Sequence, residues 1–321
     1  VRITGKGRCN LTNMRSEAEF LEKIRCSSEF FAPALRRFSN ADTVEFFRRI
    51  GVPLSVERGK RVFPASGKAW DVAEAHVGWC RRQGAEIACL TRIREIHTDG
   101  GRVVGATVQT PQGMERIAAP NILLATGGAS YPATGSSGDG YLLAHRLGHT
   151  IVEIRPSLTP LVSGLPETDR LKGLALRNVA AKLIVDDETV QQEFGELEFT
   201  PFLGGPIVLR MSRRAVDALI EERRVELEID LKPALDRSKL ADRIACEIGS
   251  LGPRAEIRQL LRRLLPPQLI PLAAATCRLA SSQVLASLDK CDEERMAGVL
   301  KSFRIPVSDY RPFSEAIVTA G

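Results

Sequence analysis

The stretch from Asn121 to His149, NILLATGGASYPATGSSGDGYLLAHRLGH, limits the folds open to this chain more than any other. Asn121 to Ala125 is a short apolar run that predicts a buried strand, and it stops at Thr126-Gly127-Gly128. Two adjacent glycines let backbone pass close to a neighbouring group. After a loop of small residues, Asp139 is placed to N-cap a short helix with Leu142, Leu143, Ala144 and Leu147 on its apolar side and Gly148 as its stop. Strand, glycine turn and helix in that order are how α/β proteins present backbone N–H groups to a nucleotide. The residues alone fit an ordinary strand-to-helix connection equally well.

A chain of 321 residues exceeds one compact core and predicts two or three domains. Its 45 basic and 39 acidic side chains leave a modest +6, with arginine scattered rather than gathered in a tract, so nucleic-acid binding is not demanded. There is no apolar run long enough for a membrane span and no charged-then-apolar leader, so a cytoplasmic protein is expected. Cys9, Cys26, Cys80, Cys89, Cys246, Cys277 and Cys291 are odd in number and contain no C-x-x-C pair, which argues against a disulfide framework and a zinc cluster. His145 and His149 stand four apart without an acidic or cysteine partner nearby in sequence, so no metal site is expected. The chain opens on Val1 and stops at Gly321 directly after an apolar run, and both ends read as cut.

Taken in order, Val1 to Asn13 (VRITGKGRCNLTN) carries a G-x-G at Gly5 and Gly7. Asn10 stands where a third fingerprint glycine belongs, and too few residues precede for the strand that motif needs. Arg8, Asn10, Thr12 and Asn13 crowd polar groups onto a glycine-hinged loop suited to phosphate or amide edges, and equally to a surface turn. Phe30, Phe31, Leu35 and Phe38 mark one amphipathic helix and Val44, Phe47 and Ile50 a second that closes at Gly51, with the aromatics assigned to core. Arg61-Val62-Phe63-Pro64 reads as a polar turn feeding a helix from Ala69 to Gln83. Ile87 to Leu90, Ile93 to His97, Val103 to Gln109 and Met114 to Ile117 read as strands. Beyond Pro156, Val179 to Val185 and Val225 to Leu231 predict strands, with a helix starting near Pro206 between them. Residues 238–302 are helical by spacing and the β pattern resumes at Phe303, so the helical stretch reads as an insertion within a β domain.

Together GKGRCNLTN at 5–13, RVFP at 61–64 and LATGGASYPATGSSGDGYLLAHRLGH at 124–149 resemble the YhiN-like bacterial flavoproteins, the family of aminoacetone oxidase and the BaiN group. GELEFTPFLGGPIVLRMS at 195–212 and EAIVTAG at 315–321 are similar to further blocks of that family. The resemblance covers the whole chain. It implies an α/β fold: an incomplete glutathione-reductase-type FAD domain over residues 1–155, a β-barrel over 156–230 and 303–318, and a helical insert over 231–302. It further implies that FAD lies along Gly5, Gly7, Arg8, Cys9, Asn10, Thr12 and Asn13, that Ala125, Thr126, Gly127 and Gly128 close over its nucleotide part, and that the strand at Ile93 meets the adenine.

The sequence departs from that family in three ways. The family's own G-x-G-x-x-G turn and its ribose-binding acid would lie upstream of Val1, and a flavin-contacting segment would follow Gly321. Pro201 stands where the family commonly has His, in a block one residue short. Nanomolar binding takes about 12 kcal/mol, whereas a remaining helix end supplies roughly 0.3–1. The expectation is therefore a chain that purifies colourless, and a yellow one once extended at both ends.

The implied activity is FAD-dependent oxidoreduction of a small-molecule substrate, with a nicotinamide, NAD(P)H, or oxygen as redox partner and no membrane or nucleic-acid partner. Cys9 is the one reactive-looking side chain, because Arg8 beside it favours a thiolate, and a buried small residue touching the cofactor is the preferred reading. Arg61 is a candidate contact for a substrate anion. Two alternatives stay open: a non-catalytic flavin- or nucleotide-binding module contacting RNA through Arg254, Arg258, Arg262 and Arg263, and an inactive gene fragment.

Overall fold

The computed structural model describes residues 2–24, 27–165 and 168–321. Cys26 and Val1, singled out above, lie outside the described residues. Contacts divide the chain into one unit running to Arg92 with 109–114 and a second made of 93–108 and 115–321.

In the first unit the chain runs α1 (Thr4–Gly7), β1 (Thr12–Asn13), α2 (Glu17–Glu22), α3 (Ser28–Arg37), α4 (Asn40–Arg49), β2 (Leu54–Glu57), β3 (Arg61–Pro64) and α5 (Ala69–Arg82). The strands form an antiparallel sheet ordered β1-β3-β2, with Val62 opposite both Thr12 and Val56. Serine sets two of the helix starts: Ser16 and Ser39 each cap an N3 amide while Glu19 and Asp42 reach back to the cap. A small core gathers Cys9, Ile50, Val52, Ala69 and Val72, with Phe46, Phe47 and Trp79 packed on it.

Three sequence expectations fail in this unit. RVFP is not a turn but the central strand of the sheet, with Val62 fully buried, because backbone partners on both sides outweigh the polar flanks. The aromatics of α3 and its C-cap are not core: Phe30 is 89% exposed, Phe31 is exposed and the capping Phe38 is 55% exposed, while Ala32 and Leu35 face inward. Periodicity decides which residues share a face, not whether anything covers it. Residues 87–90 form no strand and Leu90 is exposed.

A meander of β4 (Arg92–Asp99), β5 (Arg102–Thr110) and β6 (Gly113–Ala118) follows, ordered β4-β5-β6. The run expected as a strand at Asn121 to Ala125 has no regular secondary structure and no strand partner among the described residues, and Leu123 is 90% exposed. An apolar run becomes a strand only when a neighbour supplies the ladder, and no ladder partner reaches it among the described residues. Then comes α6 (Asp139–Arg146), whose N-cap is Gly138 at φ 80°, with Asp139 inside the first turn rather than capping it.

The larger core belongs to what comes next: β7 (Arg155–Ser157), β8 (Leu161–Ser163), β9 (Leu174–Val185), β10 (Glu188–Phe199), β11 (Leu203–Gly204), α7 (Gly205–Ile220), β12 (Val225–Asp230), α8 (Arg237–Leu251), α9 (Ile257–Leu264), α10 (Ile270–Thr276), α11 (Lys290–Lys301), β13 (Phe303–Tyr310) and β14 (Val318–Ala320). Six of these strands close on themselves in the order β10-β11-β8-β13-β12-β9. The alternation of Val225, Leu227 and Ile229 inward with Glu226, Glu228 and Asp230 outward shows why: a period of two gives each strand one apolar face, and closure buries all of them together. Helix α7 packs its Ile207, Val208, Met211, Ala215 and Val216 face into the same core. Four helices stand between β12 and β13, and β14 pairs with β7, outside the closed sheet.

Candidate functional site

The polar loop at Gly5–Asn13 falls in the first unit and the glycine turn at Ala125–Gly128 in the second. The loop is anchored from below. Gly5 holds φ +58°, and a Cβ there would stand 3.1 Å from the Asn10 amide nitrogen and 3.7 Å from the Phe63 ring. The Cys9 amide donates to the Thr4 carbonyl at 3.0 Å and its side chain is buried. Leu11 and Met14 donate to the carbonyls of Val62 and Lys60 at 2.9 and 2.7 Å, which ties the loop to β3. The Asn10 side-chain Nδ2, turned toward the strand, donates to the carbonyls of Thr12 and Val62 at 3.1 and 3.2 Å.

Arg8 does not serve Cys9. Its guanidinium forms two hydrogen bonds to the Glu57 carboxylate and lies 4.4 Å from the centre of the Phe63 ring. The Glu57 carboxyl is held below its usual range by the hydrogen bond from Arg8, and Arg8 is raised by the same bond. The Arg8 charge is thus paired with a carboxylate that sequence reasoning did not find, since nothing in the sequence links position 8 to position 57. Arg61 sits exposed on β3, donating from Nε to the Arg58 carbonyl at 3.3 Å. Asn13 donates from Nδ2 to the Gly59 carbonyl at 2.9 Å, but its buried Oδ1 has no partner. Beside it lies a cavity of about 280 Å³ lined by Asn13, Arg15, Phe20, Lys23 and Ile24.

In the second unit, the Ala125–Gly128 turn is clamped by a residue from the far end of the sequence. The Thr319 hydroxyl oxygen accepts the Ala129 amide at 2.7 Å and the Ser130 amide at 3.1 Å, and it lies 3.0 Å from the Ser130 hydroxyl. Gly128 permits this approach: a Cβ at that position would stand 2.4 Å from Thr319 Oγ1. Thr126 packs in the same manner on Gly140 of α6, where a Cβ would meet its hydroxyl at 2.1 Å. The amides of Thr126, Gly127 and Gly128 donate to no acceptor among the described residues. Ile93, expected at the adenine, is a half-buried residue of β4.

A larger groove of about 480 Å³ on the barrel wall is lined by charged side chains that are paired and by Ala180, Ala181 and Phe194. Lys182 pairs with Glu228 at 3.0 Å and Lys301 with Asp230 at 2.5 Å. The arginines proposed for RNA fare similarly in part: Arg258 pairs with Glu256 and Arg263 with Glu247, at 2.5 and 2.6 Å. Among the described residues no group of three or more metal-ligating side chains occurs, and no helix is long and apolar enough to cross a membrane.

Comparison with known proteins gives this geometry its context. The chain is similar to a 3-dehydro-bile acid delta(4,6)-reductase of Clostridium scindens, 27% identical over 323 residues that cover 100% of this chain and 76% of the relative. It is also similar to the ribosomal RNA dihydrouridine synthases of Haemophilus influenzae, at 24% over 326 residues, and Escherichia coli, at 23% over 323. All of this chain is covered in both, and 76% and 75% of those proteins. The HI0933-like protein Rossmann domain matches residues 1–321, so the loop at Gly5–Asn13 and the turn at Ala125–Gly128 lie in a chain that belongs to the HI0933-like family.

Proposed function

We propose that this chain is an FAD-dependent reductase acting on a carbon–carbon double bond conjugated with a carbonyl group. The observation that carries the cofactor reading is the Ala125–Gly128 turn: three successive amides without an acceptor, on backbone held still by Thr319, suit the oxygens of a dinucleotide. The other unit offers a compatible set. Gly7 leaves space along the loop, Cys9 is small and buried, Asn10 and Thr12 border it, Arg8 is fixed by Glu57, and the Asn13 Oδ1 lacks a donor such as a flavin imide N–H. The residues proposed for FAD are thus, within the first unit, Gly5, Gly7, Arg8, Cys9, Asn10, Thr12 and Asn13, and, within the second and taken by itself, Ile93, Ala125, Thr126, Gly127 and Gly128. When bound and reduced, FAD supplies the hydride, with NAD(P)H as the proposed source of its two electrons; in the oxidase direction oxygen is the proposed acceptor.

The relatives support the substrate chemistry. A 3-dehydro delta(4,6) bile acid carries double bonds conjugated with its 3-oxo group, and making dihydrouridine saturates a ring bond conjugated with the uracil carbonyl. In either case one carbon receives hydride and its neighbour a proton, a two-electron reduction. The same reading includes a cytoplasmic protein, an FAD domain over 1–155, a barrel over 156–230 and 303–318, and a helical insert over 231–302.

The test is direct. The protein is titrated with FAD, the complex is reduced under nitrogen, and a 4-en-3-one steroid or an oligouridylate is added. Reoxidation of the flavin by one of them is the expected result. A reduced complex that neither acceptor reoxidises sinks the proposal.

A second reading, that the double bond is presented on RNA, is favoured by one feature. Residues 1–92 contain 17 basic and 10 acidic side chains, against 28 and 29 in the rest. Arg48 and Arg49 end α4 and Arg81 and Arg82 end α5, all four exposed and without a carboxylate partner among the described residues. The two helices meet at Phe46 and Trp79, ring centres 5.0 Å apart. Cations around half-exposed rings suit a single-stranded polyanion. If so, converting the four arginines to glutamine removes about 0.7 per lost phosphate contact from the slope of log K against log salt; an unchanged slope rejects it.

A further inference from the structure

We infer that Thr319 is the positioning residue of the Ala125–Gly128 turn: its hydroxyl takes up the Ala129 and Ser130 amides, leaving those of Thr126, Gly127 and Gly128 as the donors that face a ligand. The inference rests on the cofactor reading above for the identity of that ligand, and on geometry alone for the clamp.

Three features converge on one oxygen. Thr319 Oγ1 accepts from Ala129 at 2.7 Å and from Ser130 at 3.1 Å, and exchanges a third hydrogen bond with the Ser130 hydroxyl at 3.0 Å. Ser130 is buried, so its amide has no water to turn to if the threonine oxygen is lost. Thr319 cannot drift, because it belongs to β14: Val318, Thr319 and Ala320 stand opposite Ser157, Pro156 and Arg155 of β7. The turn is held from its other side as well, since the Tyr131 amide donates to the Phe313 carbonyl at 3.1 Å.

Position matters as much as bonding. Successive amides in a tight turn point to different sides, and a turn free to rotate would spend its donors on water or on its own carbonyls. With Ala129 and Ser130 assigned to Thr319, the rotation of the preceding peptide planes is restricted, and Gly127 at φ +73° carries the bend. The hydroxyl never touches the ligand. Its part is to reduce the ordering that binding would otherwise require.

The test uses Thr319→Val, which keeps the shape and removes the acceptor, and Thr319→Ser, which keeps the acceptor. Amide hydrogen exchange at Ala129 and Ser130, measured without FAD, is expected to rise at least about tenfold in the valine variant and to return toward the parent in the serine variant. Exchange in β9 and β12 stays unchanged if the variant is folded. FAD affinity, read by flavin absorbance rather than turnover, is expected to fall about tenfold with valine and to recover with serine. Unchanged exchange at both amides overturns the clamp. Faster exchange with undiminished FAD affinity leaves the clamp but overturns its role in holding the ligand-facing donors. FAD uptake by neither the parent nor a version extended at both ends refutes the cofactor reading instead, and the exchange result still judges the clamp.

Discussion

Replacing Gly128 with alanine is expected to open the same turn without touching a hydrogen-bonding group. Gly128 does not lie in the left-handed region, so alanine costs nothing in backbone conformation, and the whole effect is steric. The new Cβ would stand 2.4 Å from Thr319 Oγ1 and 2.7 Å from its Cβ, against ordinary contact at 3.4 Å or more. Relief therefore requires a shift of about 1 Å, which carries the Ala129 and Ser130 bonds, now 2.7 and 3.1 Å, beyond hydrogen-bond range. Overpacking of this kind costs about 1–3 kcal/mol, and each lost hydrogen bond adds about 1. The pairing of β14 with β7 opposes the shift, so the strain is expected to appear as local opening. Hydrogen-exchange mass spectrometry of segments 124–131 and 315–321 should show faster exchange in both, while the barrel strands keep parental protection. Parental protection in both segments would refute the reasoning, since it would mean that the contact relaxes elsewhere.

Four further outcomes follow from the structure. Glu19 is drawn down to about 2 from 4.5, first by the Ser16 backbone amide and then by Lys60 and the Ser16 hydroxyl; a depressed carboxyl stabilises above its unfolded pKa and loses that contribution as pH falls through the folded one. The N-terminus of α2 should accordingly fray between about pH 4.5 and 2, as seen by carboxyl and amide NMR shifts, and Glu19→Gln should remove that transition. Cys277 is buried, and burial pushes its thiol up to about 11, whereas Cys89, Cys246 and Cys291 are exposed; at pH 8 a thiol reagent should label those three well before Cys277, which should react only on unfolding. Leu227, fully buried and opposite Leu183 and Ile305 in the barrel wall, should lose about 2–5 kcal/mol on truncation to alanine in denaturant titrations. Phe30→Ala, at a side chain 89% exposed, should stay within about 0.5.

Local chemistry explains which elements are legible in the sequence. The meander, the strands at Val179–Val185 and Val225–Leu231, the helix begun at Pro206 and the helical run before Phe303 follow from periodicity, Pro and Gly, which act within a few residues. The twelve-residue strand β10 is not legible, because its two register shifts break the alternation that marks a strand. RVFP and Asn121–Ala125 depart from expectation in opposite directions for one reason. A segment becomes a strand when partners are present and stays irregular when they are not, and neither fact is written in the segment itself.

The family-bearing motifs, the glycines at 127, 128 and 140, and the periodicities that assign faces are legible along the chain, because these depend on residue identity and short-range geometry. What each polar group does is fixed by the assembled fold: Arg8 pairs with Glu57, β7 and β14 pair across the chain, and the hydroxyl of Thr319 holds a turn 190 positions away. Hydrogen bonds and charge pairs have a reach of about 3 Å in space and none along the chain. A threonine near the end of a sequence therefore carries no mark of the two amides it will receive.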